Sequence, residues 1–228
     1  MKNKQNINRQ ENDSKNSEVL KFDLHVHSKY SPDCKSEPYD LIKQAEKIGL
    51  NGLAITDHDK VDFHRFETLQ TPLLIIPGIE VSTKEGHVIG LGIIEPIAKK
   101  LDLIETVEKI KELGGETIIP HPFDFTRKGI GKSLDKLKDI AIETQNGSTF
   151  IQWFNTKAKD YAETKDLAMT GGSDSHRLKD LGMAYTTTSR QINNVDDLLE
   201  TIRRKETKGE GTHLSIHEKI IRSFQIHL

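Results

Sequence analysis

Six short apolar runs in this chain carry His, Asp or Glu at or beside their ends, and this pattern constrains the fold most. The runs with their polar residues span 22–27, 53–58, 73–80, 86–90, 117–121 and 170–176. Imidazole and carboxylate are the ligands that borderline divalent metals take. Short buried strands that end at one face bring such residues together across long stretches of sequence. The pattern therefore predicts a metal cluster.

Composition bounds the class of protein. The 228 residues suit one domain, or one domain with a small appendage. The net charge of −2 gives no electrostatic reason for nucleic acid or an anionic membrane as an obligate partner. The single cysteine, Cys34, excludes an internal disulfide framework and a metal site with several thiolates, and it favours a reducing cytoplasm.

The two ends of the chain differ from its middle. Residues 1–19 are polar and aperiodic, which predicts a disordered tail without the hydrophobic centre of a secretory signal. No apolar run approaches the roughly 20 residues that cross a bilayer, so we expect no membrane association. Residues 20–205 are expected to form the catalytic domain. In residues 206–228 we expect a loop (205–212) followed by a helix (213–226) that packs on that domain.

Between these ends, strand-like and helix-like segments alternate. This order predicts an α/β fold with a largely parallel sheet whose strands are covered on both faces. The predicted strands are 22–27, 52–56, 73–76, 87–93, 117–119, 140–143 and 167–170. The predicted helices are 38–48, 101–113, 150–164 and 195–204.

Each polar motif has a second interpretation when it is taken alone. His25 and His27 lie on one side of a strand, which suits two metal ligands, but incidental histidines fit equally well. Glu80 ends a very apolar run, where a buried carboxylate requires a metal or a cationic partner such as Arg. His87 precedes its apolar run. It therefore lies at the same end of the sheet as the other candidates only if Glu80 and His87 flank a tight reversal.

The remaining motifs have similar alternatives. The segment 57–59 follows a predicted strand. His58 would be a metal ligand oriented by the carboxylate of Asp57 or Asp59, or the segment is an ordinary turn. His121 lies between two prolines, and Asp174 and His176 follow two glycines; a rigid turn and a helix cap are the respective alternatives. Five of the six motifs fall at the C-terminal end of a predicted strand, where α/β barrels place active sites.

Taken together and in this order, the motifs resemble the polymerase and histidinol phosphatase (PHP) family over residues from about 20 to 190. The resemblance implies a distorted (β/α)7 barrel that holds two or three divalent ions of zinc, manganese or iron. It implies nine ligands, namely His25, His27, Asp33, His58, Glu80, His87, His121, Asp174 and His176. Glu80 would bridge two ions. The family more often has Ser-Asp-Gly at the turn where this chain has Ser31-Pro32-Asp33-Cys34.

The resemblance also implies a reaction. The chain would be a metal-dependent phosphoesterase that hydrolyses a phosphomonoester or a nucleotide or oligonucleotide phosphate with a metal-activated water. Glu80 and His58 would act at the metals, and Asp59 is a candidate proton donor. Arg127 and Lys128 would bind phosphate, although a solvated basic pair explains them equally well. Phe123, Phe125 and Trp153 suit either base stacking or core packing.

Two other functions remain open at the level of sequence. An amidohydrolase-like enzyme would use similar metals to cleave C–N or C–O bonds, but such enzymes usually hold a carboxylated Lys on a strand, and no predicted strand ends in Lys. A metal-stabilised binding module without activity would be expected to lack some ligands, whereas all nine positions are filled. The sequence does not determine the oligomeric state.

Overall fold

The structure, a computed structural model, describes residues 19–214. The predicted tail 1–19, apart from Val19, lies outside the described residues, and so does almost all of the predicted helix 213–226. In the part of the chain that is described, no helix is long and apolar enough to span a membrane.

Strands and helices alternate as predicted over most of the chain. The strands are β1 (Leu20–Val26), β2 (Gly52–Ile55), β3 (Leu74–Ser82), β4 (His87–Leu91), β5 (Glu116–Ile119), β6 (Ala141–Asn146), β7 (Ala168–Gly172), β8 (Ala184–Thr188) and β9 (Lys208–Gly211). The helices are α1 (Pro38–Lys47), α2 (His64–Glu67), α3 (Leu103–Glu112), α4 (Gln152–Thr164) and α5 (Val195–Arg203). Short 3-10 helices cover Phe125–Arg127, Gly131–Lys136 and Leu178–Asp180.

Apart from the 3-10 helices, three described elements were not predicted, and one of them replaces a predicted loop. The predicted loop 205–212 contains β9, which pairs antiparallel with β8. The polar, glycine-containing sequence of β9 gives no strand signal, because its conformation comes from pairing with a distant strand rather than from local preference. Helix α2 and strand β8 were likewise absent from the prediction.

The strands form one sheet in the order β7-β6-β5-β4-β3-β2-β1-β8-β9. The β1–β2, β2–β3, β5–β6 and β6–β7 pairs are parallel, and the other four described pairs are antiparallel. The prediction of a largely parallel sheet is therefore only half correct. The physical reason lies at β3 and β4, where the short turn 83–86 permits a hairpin but not a parallel crossover.

The sheet curves until its two halves meet, which confirms the predicted distorted α/β barrel. The backbone N–H of Asp174 donates to the carbonyl of His25 at 2.7 Å, and the N–H of His27 donates to the carbonyl of Ser175 at 3.1 Å. Gly172 permits this approach, because a Cβ atom there would lie 2.4 Å from the Cβ of His25. The ends of β1 and β7 are thereby brought side by side.

The core leaves one end of the barrel for polar residues. Leu198, Leu199 and Ile202 of α5 pack with Phe22 of β1 and with apolar residues of strands β2 to β7. A second apolar layer fills the space between the sheet and helices α3 and α4. Burial of apolar surface at the N-terminal ends of the parallel strands is the main stabilising contribution there. The C-terminal ends are free to carry the functional site.

Candidate metal centre

The predicted ligands lie at one end of the barrel. His25 lies in β1 and His27 follows it, His58 follows β2, Glu80 lies in β3, His121 follows β5, and Asp174 and His176 follow β7. His87 opens β4, and its backbone pairs with Ser82 of β3. The tight reversal that would bring His87 to this end of the sheet is therefore present, since β4 runs antiparallel to β3 and β5 and begins at the end where they finish.

Glu80 is the centre of this cluster, and its side chain is 1% exposed. Five imidazoles surround its carboxylate. Oε2 lies 3.4 Å from Nε2 of His25, 3.3 Å from Nε2 of His27 and 3.0 Å from Nδ1 of His58, and Oε1 lies 2.8 Å from Nδ1 of His87 and 3.2 Å from Nε2 of His121. Both carboxylate oxygens of Glu80 therefore lie among imidazole nitrogens.

Asp174 forms a second focus beside Glu80. Its Oδ1 lies 3.6 Å from Nε2 of His25, 3.5 Å from Nε2 of His27 and 3.7 Å from Nδ1 of His176. Oδ2 accepts a hydrogen bond of 2.6 Å from Nη2 of Arg127. His25 and His27 thus lie between the two carboxylates.

Four overlapping triads among the described residues have ligand atoms that all lie within 4.8 Å of one another. They are His27–His58–His176, His25–His27–Asp174, His25–Glu80–His121 and His58–Glu80–His87. Asp33 is outside these triads, and its side chain is 50% exposed, but its Oδ2 lies 3.4 Å from Nε2 of His58 and 3.2 Å from Nε2 of His176. All nine predicted ligands are therefore brought together.

The geometry of the ring nitrogens fits divalent cations. Nδ1 of His58, Nδ1 of His121 and both ring nitrogens of His87 are buried without a hydrogen-bond partner. The 2.8 Å contact of His87 with Glu80 thus lacks hydrogen-bond geometry. Buried polar atoms without partners are costly, and a divalent ion held among these rings would give some of these nitrogens a partner. Imidazoles and carboxylates without thiolate suit zinc, iron or manganese.

The electrostatics of the cluster also favour cations. Burial would lower the pKa of His25, but the carboxylates of Asp174, Glu143 and Glu80 raise it well above its usual value. Burial would raise the pKa of Asp174, but Arg127 and His25 hold it well below its usual range. Buried carboxylates that stay ionised concentrate negative charge, so a divalent ion is stabilised where they meet.

The backbone of this end is held in uncommon conformations. His121 and Asp174 adopt left-handed φ angles of 34° and 52°. Non-glycine residues take up this region rarely, and they cluster at functional sites, where the surrounding structure enforces it. Here the strand pairing fixes both turns, so that the two side chains face the cluster.

Glu143 is a site residue that the sequence analysis missed. Its Oε1 lies 3.0 Å from Nδ1 of His25, and its Oε2 accepts from the backbone N–H of His121 and from Nδ2 of Asn146, each at 2.8 Å. Nδ2 of Asn146 also lies 3.1 Å from Oδ2 of Asp174. Glu143 ends an apolar run, as Glu80 does, so the signal was present. Asn146 has no comparable signal.

The carboxylates that follow β2 have backbone partners. Asp57 accepts from the backbone N–H and the hydroxyl of Ser28, both at 2.6 Å, and so fixes the turn after β1. Oδ1 of Asp59 accepts from the backbone N–H of Ser82 at 2.7 Å. Asp59 thereby holds the end of β3, and its role as a proton donor stays a prediction.

The two predicted phosphate ligands differ in position. The Arg127 side chain is 23% exposed, and it pairs with Asp174 inside the cluster. Lys128 is exposed, and its backbone carbonyl accepts from the N–H of His87 at 3.1 Å. Cys34 donates its thiol to the carbonyl of His27 at 3.2 Å, which fits a buried thiol rather than a ligand. Phosphate binding by Arg127 and Lys128 stays a prediction.

Comparison with known proteins finds relatives of this chain. A family model described as "PHP-associated" matches residues 152–207. The chain is 36% identical over 188 residues to an uncharacterized protein of Methanocaldococcus jannaschii, covering 78% of this chain and 75% of the relative. It is 32% identical over 128 residues to a 5′–3′ exoribonuclease of Haemophilus influenzae, covering 53% of this chain and 45% of that relative.

A solved structure supports the fold. The chain is similar to a two-domain protein of Bacteroides vulgatus that contains a predicted PHP-like metal-dependent phosphoesterase, with a TM-score of 0.65 and 18% sequence identity. The match covers 86% of this chain and 65% of the other. At this identity the similarity concerns the fold alone.

Proposed function

The chain belongs to the polymerase and histidinol phosphatase family, and from this premise we propose that it is a metal-dependent phosphoesterase. The single observation that carries the proposal is the convergence of nine imidazoles and carboxylates around Glu80 and Asp174. The proposed ligands are His25, His27, Asp33, His58, Glu80, His87, His121, Asp174 and His176. The proposed catalytic domain is residues 20–205.

The chain's own residues have distinct proposed tasks. Divalent ions bound here would lower the pKa of a water molecule and neutralise the charge that builds on phosphate oxygens. Glu80 holds both carboxylate oxygens among imidazoles, so it would bridge two ions. Arg127 offers further guanidinium N–H groups beside Asp174, and its Nε lacks a partner among the described residues. This nitrogen is buried, and a phosphate oxygen that entered the cluster beside Asp174 would satisfy it.

A phosphate ester is favoured over an amide by two features. Arg127 supplies a cation beside the proposed metals, which suits an anionic substrate. None of the described strands ends in Lys, so the carboxylated Lys typical of amidohydrolase-like sites has no counterpart there. The resemblance to an exoribonuclease extends the candidate substrates from phosphomonoesters to nucleotides and oligonucleotides.

The test combines metal content with hydrolysis. The protein is purified with manganese, zinc or iron, its bound metal is measured, and phosphate release from mono- and diesters and hydrolysis of amides are assayed with and without chelator. We expect chelator-sensitive phosphate release in the wild type and its loss in Glu80→Gln. Glu116→Gln is the matched control, because Glu116 is a buried carboxylate that pairs with Arg203 outside the cluster. Phosphate release that persists in excess EDTA would refute the proposal.

A further inference from the structure

Large apolar side chains are exposed next to the proposed metal centre. Phe125 is 78% exposed, Trp153 is 57% exposed and Ile151 is 54% exposed. They lie on the segment after β5 and at the start of α4, which are connections at the same end of the barrel as the ligands. Single exposed apolar residues are ordinary, but a contiguous group beside a functional site indicates binding.

Three aromatic residues, here called the aromatic platform, are linked by ring contacts: Phe125 and Trp153 each contact Phe154. The ring centroids of Phe125 and Phe154 are 5.7 Å apart, and those of Trp153 and Phe154 are 5.5 Å apart. Phe154 is 5% exposed. The buried ring of Phe154 therefore anchors the two exposed rings against the body of the protein.

Short hydrogen bonds connect the aromatic platform to the centre. Phe125 lies two residues before Arg127, whose guanidinium reaches Asp174 at 2.6 Å. The hydroxyl of Thr149 donates to Oδ2 of Asp124 at 2.8 Å, which ties the two platform segments together. The hydroxyl of Ser148 donates to the carbonyl of Asp174 at 2.8 Å. The platform thus has a fixed position relative to the proposed phosphate site.

Two exposed lysines, Lys128 and Lys157, lie near the aromatic platform. Nζ of Lys157 lies 4.9 Å from the centre of the Trp153 ring and 4.5 Å from that of Phe123. Arg127 and Lys128 follow Phe125 by two and three residues in the sequence. Exposed rings with adjacent cations are the combination with which proteins bind bases and the connecting phosphates of single-stranded nucleic acid. A purely apolar partner would not require the cations.

We propose that the aromatic platform stacks a nucleobase of a nucleotide or single-stranded oligonucleotide whose phosphate lies at the metal centre. This inference rests on the proposed phosphoesterase function and names its substrate class. Phe125 and Trp153 would then be specificity-determining residues, because they touch the base and not the reacting phosphate. The flat face of every base allows stacking, so we expect little preference among bases.

The first experiment does not depend on activity. Trp153 is the only tryptophan of the chain, so its fluorescence reports on the aromatic platform. We expect saturable quenching when a short oligothymidylate is added to the full chain without metal. Phe125→Leu should weaken the affinity by about 5- to 150-fold, the range expected for one stacked base, and Phe125→Tyr should retain it.

The control for this titration is Tyr39→Ala. Tyr39 is an exposed aromatic residue of α1, 58% exposed compared with 57% for Trp153, and its replacement should leave the affinity unchanged. Absence of quenching, as expected if another part of this chain or a protein partner covers the surface, would overturn the inference. Equal affinities for Phe125→Leu and the wild type would also overturn it.

The second experiment separates this inference from the proposed function. Adenosine 5′-monophosphate and ribose 5-phosphate differ only in the base. We expect a higher kcat/KM for the nucleotide, and we expect Phe125→Leu to remove most of that advantage. Equal kcat/KM values in the wild type would overturn the base-stacking inference and leave the phosphoesterase intact. If neither compound is hydrolysed, the proposed phosphomonoesterase activity is refuted. The fluorescence titration then still tests whether the aromatic platform binds a base.

Discussion

Replacement of Glu143 by Gln is expected to weaken metal binding although no proposed metal ligand is replaced. Glu143 is 1% exposed, and its carboxylate receives the ring of His25 at 3.0 Å and the backbone N–H of His121 at 2.8 Å. A carboxylate accepts on both oxygens, so Nδ1 of His25 carries the proton and its Nε2 is left with a lone pair for a metal. Glu143 is therefore a positioning residue.

The amide that Glu143→Gln introduces would change this arrangement. Its single oxygen can satisfy the N–H of His121 and the amide of Asn146, but its NH2 group then faces Nδ1 of His25. To accept that hydrogen bond, Nδ1 must lose its proton, and the proton moves to Nε2, the atom that faces Glu80 at 3.4 Å. Replacing a residue that hydrogen-bonds a metal ligand typically lowers the metal affinity by about 10- to 100-fold, which corresponds to about 1.4–2.8 kcal/mol.

The assay is competition for zinc against a chromophoric chelator, at fixed pH, for wild type, Glu143→Gln and the control Glu116→Gln. Nitrogen NMR of the metal-free protein, at a pH high enough to leave His25 neutral, measures the His25 tautomer directly, and we expect it to change in Glu143→Gln alone. Circular dichroism confirms that each variant is folded. A folded Glu143→Gln protein with zinc affinity within about twofold of the wild type would refute the reasoning, since an outer partner is worth more than that.

Four further outcomes are expected. Glu80→Gln should lose most bound metal, measured by elemental analysis, together with nearly all phosphoesterase turnover, because both of its oxygens lie among imidazoles; retention of both would contradict the bridging role. Arg127→Ala should raise KM with little change in kcat if Arg127 binds ground-state phosphate, and a fall in kcat alone would place its effect in the transition state instead. Leu198→Ala, at a fully buried position of α5, should lower the free energy of unfolding by about 2–5 kcal/mol in urea titrations, and a loss below about 1 kcal/mol would show that α5 does not complete the core. Adding metal to the chelated protein at about 100 times its Kd should stabilise it by about 2.7 kcal/mol, seen as a higher Tm, unless the unfolded chain binds the metal equally well.

The sequence predicted most of the elements and the polar residues of the site because both depend on local patterns. Apolar runs of about four to six residues mark buried strands wherever those strands lie, and a His or carboxylate at the end of such a run marks an end of the sheet. His25, His58 and His121 were found in this way. Glu143 ends the predicted strand 140–143 and had the same signal, but the nine ligands were chosen from the family resemblance, which does not include it.

Only the tertiary structure decided which residues meet and how. Strand β9 exists because it pairs with β8, and His87 joins the cluster because β4 runs antiparallel to β3. The sequence of β9 has no strand pattern, and the short turn before His87 does not by itself fix the register that places His87 beside Glu80. The contact of Arg127 with Asp174 likewise joins segments that are 47 residues apart. The sequence by itself determined the kinds of ligand in this protein, whereas strand order and register determined their geometry, because hydrogen bonds between distant strands fix positions that no local preference encodes.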